Sequence, residues 1–79
     1  MMNSKVMFDF SALQGKIKEL YDTQNNFAKA IPMSRTSLNN KLLNKVDFTS
    51  NDIWRIAKLL NIENSELDTY FFKTKSLEN

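Results

Sequence analysis

The sequence predicts a compact all-α domain of five helices. Three observations carry that prediction. Apolar residues recur at three- and four-residue spacing in successive short windows. A side chain able to cap a helix stands in front of each window. And the 79-residue chain holds one glycine and one proline, little material for the tight turns of an all-β fold.

Helix one is expected over about residues 11–21, where Leu13, Ile17, Leu20 and Tyr21 share a face. Ser11, with Gln14 three residues on, has the form of a capping box. Gly15 costs such a helix about 1 kcal/mol relative to alanine, and close approach of another helix is the expected reason. Thr23 is placed to cap helix two, about residues 24–30, with Phe27, Ala28 and Ile31 inward. Ser34 is placed to cap helix three, about residues 34–43, with Leu38 and Leu42 one turn apart on the core side. Asn44 is the natural left-handed stop in the absence of glycine.

Thr49 opens helix four, about residues 50–60, and Asp52 supplies a carboxylate to its first turn. Ile53, Ile56, Ala57 and Leu60 form its inward stripe, and Asn61 ends it. Asn64 or Ser65 caps a short fifth helix carrying Leu67, Tyr70 and Phe71. By this reading residues 1–7 are a flexible N-terminal arm, residues 8–72 the folded domain and residues 73–79 a polar tail. Met1 and Met7 both stand as candidate starts.

Composition narrows the function. The chain has no cysteine and no histidine, so it has no disulfide, no thiolate or imidazole metal ligand and no imidazole base. Its carboxylates are scattered, and none has a catalytic partner nearby in sequence. The expectation is a non-enzymatic protein with no cofactor, no metal and no small-molecule effector. No apolar run approaches the roughly 20 residues of a membrane span, and no signal-peptide pattern opens the chain. A cytoplasmic protein, away from the membrane, is the expectation.

The net charge of +2 is unevenly spread. Residues 24–46 hold Lys29, Arg35, Lys41 and Lys45 and no acid, whereas residues 47–79 are net acidic. A localised basic face is the electrostatic footprint of a polyanion. With Leu38 and Leu42 inward, about 100° per residue turns Thr36 and Asn40 nearly the opposite way. Ser37 and Asn39 fall on the flanks, and Arg35 lies in the first turn. These groups suit base edges: arginine pairs with guanine, asparagine with adenine, and the threonine methyl meets thymine. Hydroxyls and lysines around them, Lys41 included, suit phosphate. An ordinary solvated helix mixes acids with bases; this one has no acid along its length.

The stretch QNNFAKAIPMSRTSLNNKLLNK, with MFDFSALQGKI before it and IWRIAKLLNIENSEL and DTYFF after it, resembles the lambda-repressor-like helix-turn-helix proteins. The similarity is greatest to Cro-type regulators of phages and prophages of Gram-positive bacteria. It spans about residues 8–72 and rests on Gln24, Ala28, the break at residues 32–33, Leu38 and the loop ending in Lys45. The resemblance implies a transcription regulator, a repressor, that binds a near-palindromic double-stranded DNA operator as a homodimer. Helix three would lie in the major groove. By position, Ser34, Arg35, Thr36 and Asn40 would face bases, and Gln24, Ser37, Asn39, Lys41 and Lys45 would hold the backbone. Amide groups at the N-termini of helices two and three would add to that hold.

The chain departs from the family pattern at Pro32, where glycine is frequent. Proline favours φ near −65°, so the turn is expected to reverse by another backbone path. Asn44 in place of a loop glycine is a milder change. Family members commonly pair through the C-terminal end, which assigns Leu67, Tyr70, Phe71 and Phe72 to a dimer interface. Trp54 is expected to cover the core edge, with a dimer contact as the alternative. A second class of function fits the same helices: a protein-interaction module such as an antitoxin or adaptor.

Overall fold

The computed structural model describes residues 6–75. Among them are five α-helices: α1 (Ser11–Tyr21), α2 (Gln24–Ala30), α3 (Arg35–Leu42), α4 (Ser50–Leu60) and α5 (Leu67–Phe71), the last entered through a 3-10 turn at Asn64–Glu66. No strand forms among these residues beyond an isolated antiparallel bridge between Phe8 and Thr74.

Short-range chemistry explains most of the boundaries. Thr23 accepts from the Asn26 N–H at 3.0 Å and starts α2. Ser34 accepts from the Ser37 N–H at 3.0 Å and starts α3. Thr49 and Asp52 form a reciprocal capping box on α4, with bonds of 2.9 and 3.0 Å. Each satisfies amides that the first turn leaves without partners. Ser11 does not cap α1. The preceding Asp9 Oδ1 takes the Ser11 N–H at 3.0 Å, so Ser11 becomes the first helical residue. The fifth helix likewise starts further back, where Glu63 and Glu66 form the capping pair of the 3-10 turn.

The ends of α2, α3 and α4 share one solution without glycine. At α3, Asn44 sits at φ 65°, its N–H reaches the Lys41 carbonyl, and the Lys45 N–H reaches Asn40. That is the Schellman closure. Asn61 repeats it at α4 with φ 57°, the Ile62 N–H bonding Ala57. At α2 the Met33 N–H bonds the Ala28 carbonyl at 3.1 Å across Pro32, which sits at φ 22°. The expected detour does not occur. The backbone takes the positive-φ path although the ring resists it, and the second bond of the motif is missing because proline has no N–H.

The core joins Phe10, Leu13 and Ile17 to Phe27, Ile31, Leu38, Leu42, Ile56, Leu60, Ile62 and Phe71. An edge-to-face aromatic chain runs Phe10–Phe48–Phe71 at centroid separations of 5.1 and 5.6 Å. Tyr21 packs on Phe27 and donates its hydroxyl to the Leu59 carbonyl, tying α1 to α2 and α4. Two expectations fail here. Leu20 is exposed, because α1 turns that side to solvent. Gly15 has open space where a Cβ would stand, so no neighbouring helix explains it.

The terminal segments are paired. The Asp9 N–H bonds Lys73 and the Lys75 N–H bonds Met7 at 2.7 and 2.9 Å. Residues 7 and 73–75, placed in the arm and the tail by the sequence reading, therefore belong to a two-sided clasp. Residues 1–5 of the arm and 76–79 of the tail lie outside the described residues.

Candidate nucleic-acid interface

The α2–turn–α3 unit sets the geometry of the site. Phe27 and Ala28 anchor α2, Leu38 and Leu42 anchor α3, and Met33 is half-buried in the turn between them. With those anchors inward, Ser34, Arg35, Thr36, Ser37 and Asn39 are all exposed. Asn40 is half-buried, and its carbonyl is the acceptor that closes the end of α3. Gln24, at the start of α2, is also half-buried. Lys45 and Lys29 are exposed. The structure thus gathers Ser34, Arg35, Thr36 and Ser37 at the N-terminal end of α3, with Lys45 just past the other end.

Lys41 is not part of this surface. Its ammonium bonds Asp52 Oδ2, the two side chains being 14% and 15% exposed. Burial alone pushes the Asp52 carboxyl up, but the Lys41 ammonium and the Thr49 N–H and hydroxyl outweigh it and hold the group below the usual carboxylate range. The same carboxylate completes the α4 cap and anchors the α3 end of the interhelical loop. A cation committed in this way is not free for phosphate, which takes Lys41 out of the set expected to hold a DNA backbone. Sequence reasoning missed this pairing, because Asp52 already had an evident local role at the cap.

The C-terminal residues assigned to a dimer face divide. Phe71 is 2% exposed and belongs to the core, held there by Phe48. Leu67 and Tyr70 are half-buried, packed against that core. Phe72 is 48% exposed and meets Phe8 edge-on at 6.2 Å. Trp54 does not cover the core edge: it is 63% exposed, with the Lys58 ammonium 5.3 Å from its ring centroid.

No group of three or more Asp, Glu, His or Cys among the described residues is arranged to hold a metal ion. No helix among them is long and apolar enough to cross a membrane. No buried side-chain nitrogen or oxygen among them lacks a partner.

Fold and surface together define a small all-α domain that presents the N-terminal end of a short polar helix. The chain belongs to the family described as "Protein of unknown function (DUF739)", whose pattern matches residues 6–74. It is similar to the modulator of repression (MOR) of the temperate bacteriophage TP901-1 from Lactococcus lactis. The two are 35% identical and superimpose with a TM-score of 0.75, over 82% of this chain and 88% of that one. No curated protein matches the chain.

Proposed function

We propose that the protein is a regulator of phage or prophage gene expression that acts in the cytoplasm as a non-enzymatic repressor. It binds a near-palindromic DNA operator as a homodimer through α3, in the manner of Cro-type helix-turn-helix proteins. Ser34, Arg35, Thr36 and Asn40 read bases; Gln24, Ser37, Asn39 and Lys45 hold the backbone. The observation that carries this reading is the exposed end of α3. It presents a guanidinium, three hydroxyls and a methyl with no acid along the helix, beside a loop cation. The similarity to a phage modulator of repression supports the regulatory setting.

Selection of bound duplexes from a random pool, followed by gel shift at two salt concentrations, tests it. A shared motif, and affinity that falls steeply with salt, are expected. No salt-sensitive binding to any duplex would sink it.

A second reading has its own support. The exposed Trp54 and Phe72 favour a protein-interaction module that modulates repression through a partner protein, with no DNA contact of its own. The same gel shift separates the two readings.

A further inference from the structure

Trp54 is the single tryptophan of the chain, and its exposure is unusual for so large an apolar side chain. It stands on the wall of a groove. The groove is lined by Ile53, Trp54 and Lys58 of α4 and by Glu63, Leu67 and Phe72 of the segment that follows it. Phe72 and Ile53 also border a second hollow with Val6 and Val46, both half-exposed, so the apolar band continues past the groove. The rim charges are mixed, with a base on α4 and an acid on the segment that follows it, which suits neither a polyanion nor an anionic membrane.

Mixed rim charge and a knob beside a hollow are what a two-fold interface needs, because one patch must complement itself. A two-fold axis running along the groove brings the α4 lining of one copy against the Glu63 segment of the other. Base then meets acid twice, and each indole faces a hollow. We propose that this face pairs two copies of the chain. Trp54 of each seats in the groove of the other, and Lys58 of one meets Glu63 of the other. The inference deepens the dimeric part of the proposed function and is independent of whether α3 binds DNA. It moves the centre of the interface from α5 to α4.

The lone tryptophan makes the test direct. Emission of Trp54 and mass by sedimentation equilibrium are followed from low micromolar to near-millimolar protein. The expected result is a blue shift that tracks a doubling of mass. Trp54→Ala should weaken pairing at least about tenfold with its helical circular dichroism unchanged. Lys58→Glu and Glu63→Lys should each weaken it, and the double variant should restore it. Arg35→Ala, outside the groove, should leave pairing intact. A monomer with constant emission throughout overturns the proposal, even if a different protein is later found in the groove. So does a dimer that ignores Trp54→Ala, a double variant that fails to recover, or loss of pairing in Arg35→Ala.

Discussion

The Asn44 side chain grips both backbone polar groups of Phe8. Its Oδ1 accepts from the Phe8 N–H at 2.9 Å and its Nδ2 donates to the Phe8 carbonyl at 3.0 Å. Asn44 thereby joins the end of α3 to the terminal clasp, while its own backbone at φ 65° closes that helix. The two roles separate by substitution. Asn44→Gly keeps the left-handed backbone and loses the grip, costing about 1–3 kcal/mol for two hydrogen bonds in a part-buried site. Asn44→Ala loses the grip and adds left-handed strain of about 1–2 kcal/mol. Urea unfolding should therefore rank the wild type above Asn44→Gly, and Asn44→Gly above Asn44→Ala. Equal stability of the two variants would remove the conformational half of this account.

Local chemistry was readable in advance, and long-range chemistry was not. Thr23, Ser34 and Thr49 each bond an N–H three residues on, a distance a sequence pattern contains. The left-handed backbone of Asn44 followed from residue type alone. Its grip on Phe8 spans 36 residues and leaves no pattern. Ser11 fails as a cap because the helix begins one residue earlier: Asp9 takes the Ser11 N–H, and the Gln14 N–H that a Ser11 cap would bind goes to the Phe10 carbonyl. The exposure of Arg35, Thr36, Ser37 and Asn39 followed from the two leucines of α3, but Asn40, expected nearly opposite to them, is half-buried. That Lys41 would turn to Asp52 did not, because a basic stretch says where cations lie along the chain and not where they point.

The Lys41–Asp52 pair predicts a pH dependence. The folded-state pKa of Asp52 is lowered, so its contribution is present above the unfolded carboxylate value near about 3.9 and is lost as pH falls through the lower folded value. Asp52→Asn can still accept the Thr49 N–H but carries no charge. It should be less stable than the wild type at neutral pH, and the gap should close as pH drops below about 4. Thermal melts of both proteins across that range check the sign. A gap that holds constant to the lowest pH would show that the charge contributes nothing.

Gly15 offers a stabilising change. It lies on the exposed side of α1 with open space around the missing Cβ. Gly15→Ala should gain about 1 kcal/mol of helix propensity, raising Tm by about 4–8 °C in a domain of this size. Calorimetry that found a lower Tm would point to a role for Gly15 outside the folded monomer.

The face of α3 makes the last and most discriminating prediction, because its members differ in what they are placed to touch. Arg35 is exposed in the first turn, so Arg35→Ala should cost about 1–3 kcal/mol of operator affinity and relax specificity at one base position. Asn40 is half-buried with its carbonyl committed, so only its amide is available to a base. Asn40→Ala should have the same kind of effect within the same range. Lys45→Ala should weaken all duplexes alike and lower the salt slope by about one unit. Lys41→Ala should leave that slope unchanged and lower stability instead, because its ammonium is held by Asp52. Gel shifts of the four variants over a salt series, paired with urea unfolding, resolve the pattern. If Lys41→Ala flattens the slope as Lys45→Ala does, the ion pair opens on DNA. If Arg35→Ala and Asn40→Ala both bind the operator as the wild type does, α3 is not the reading helix.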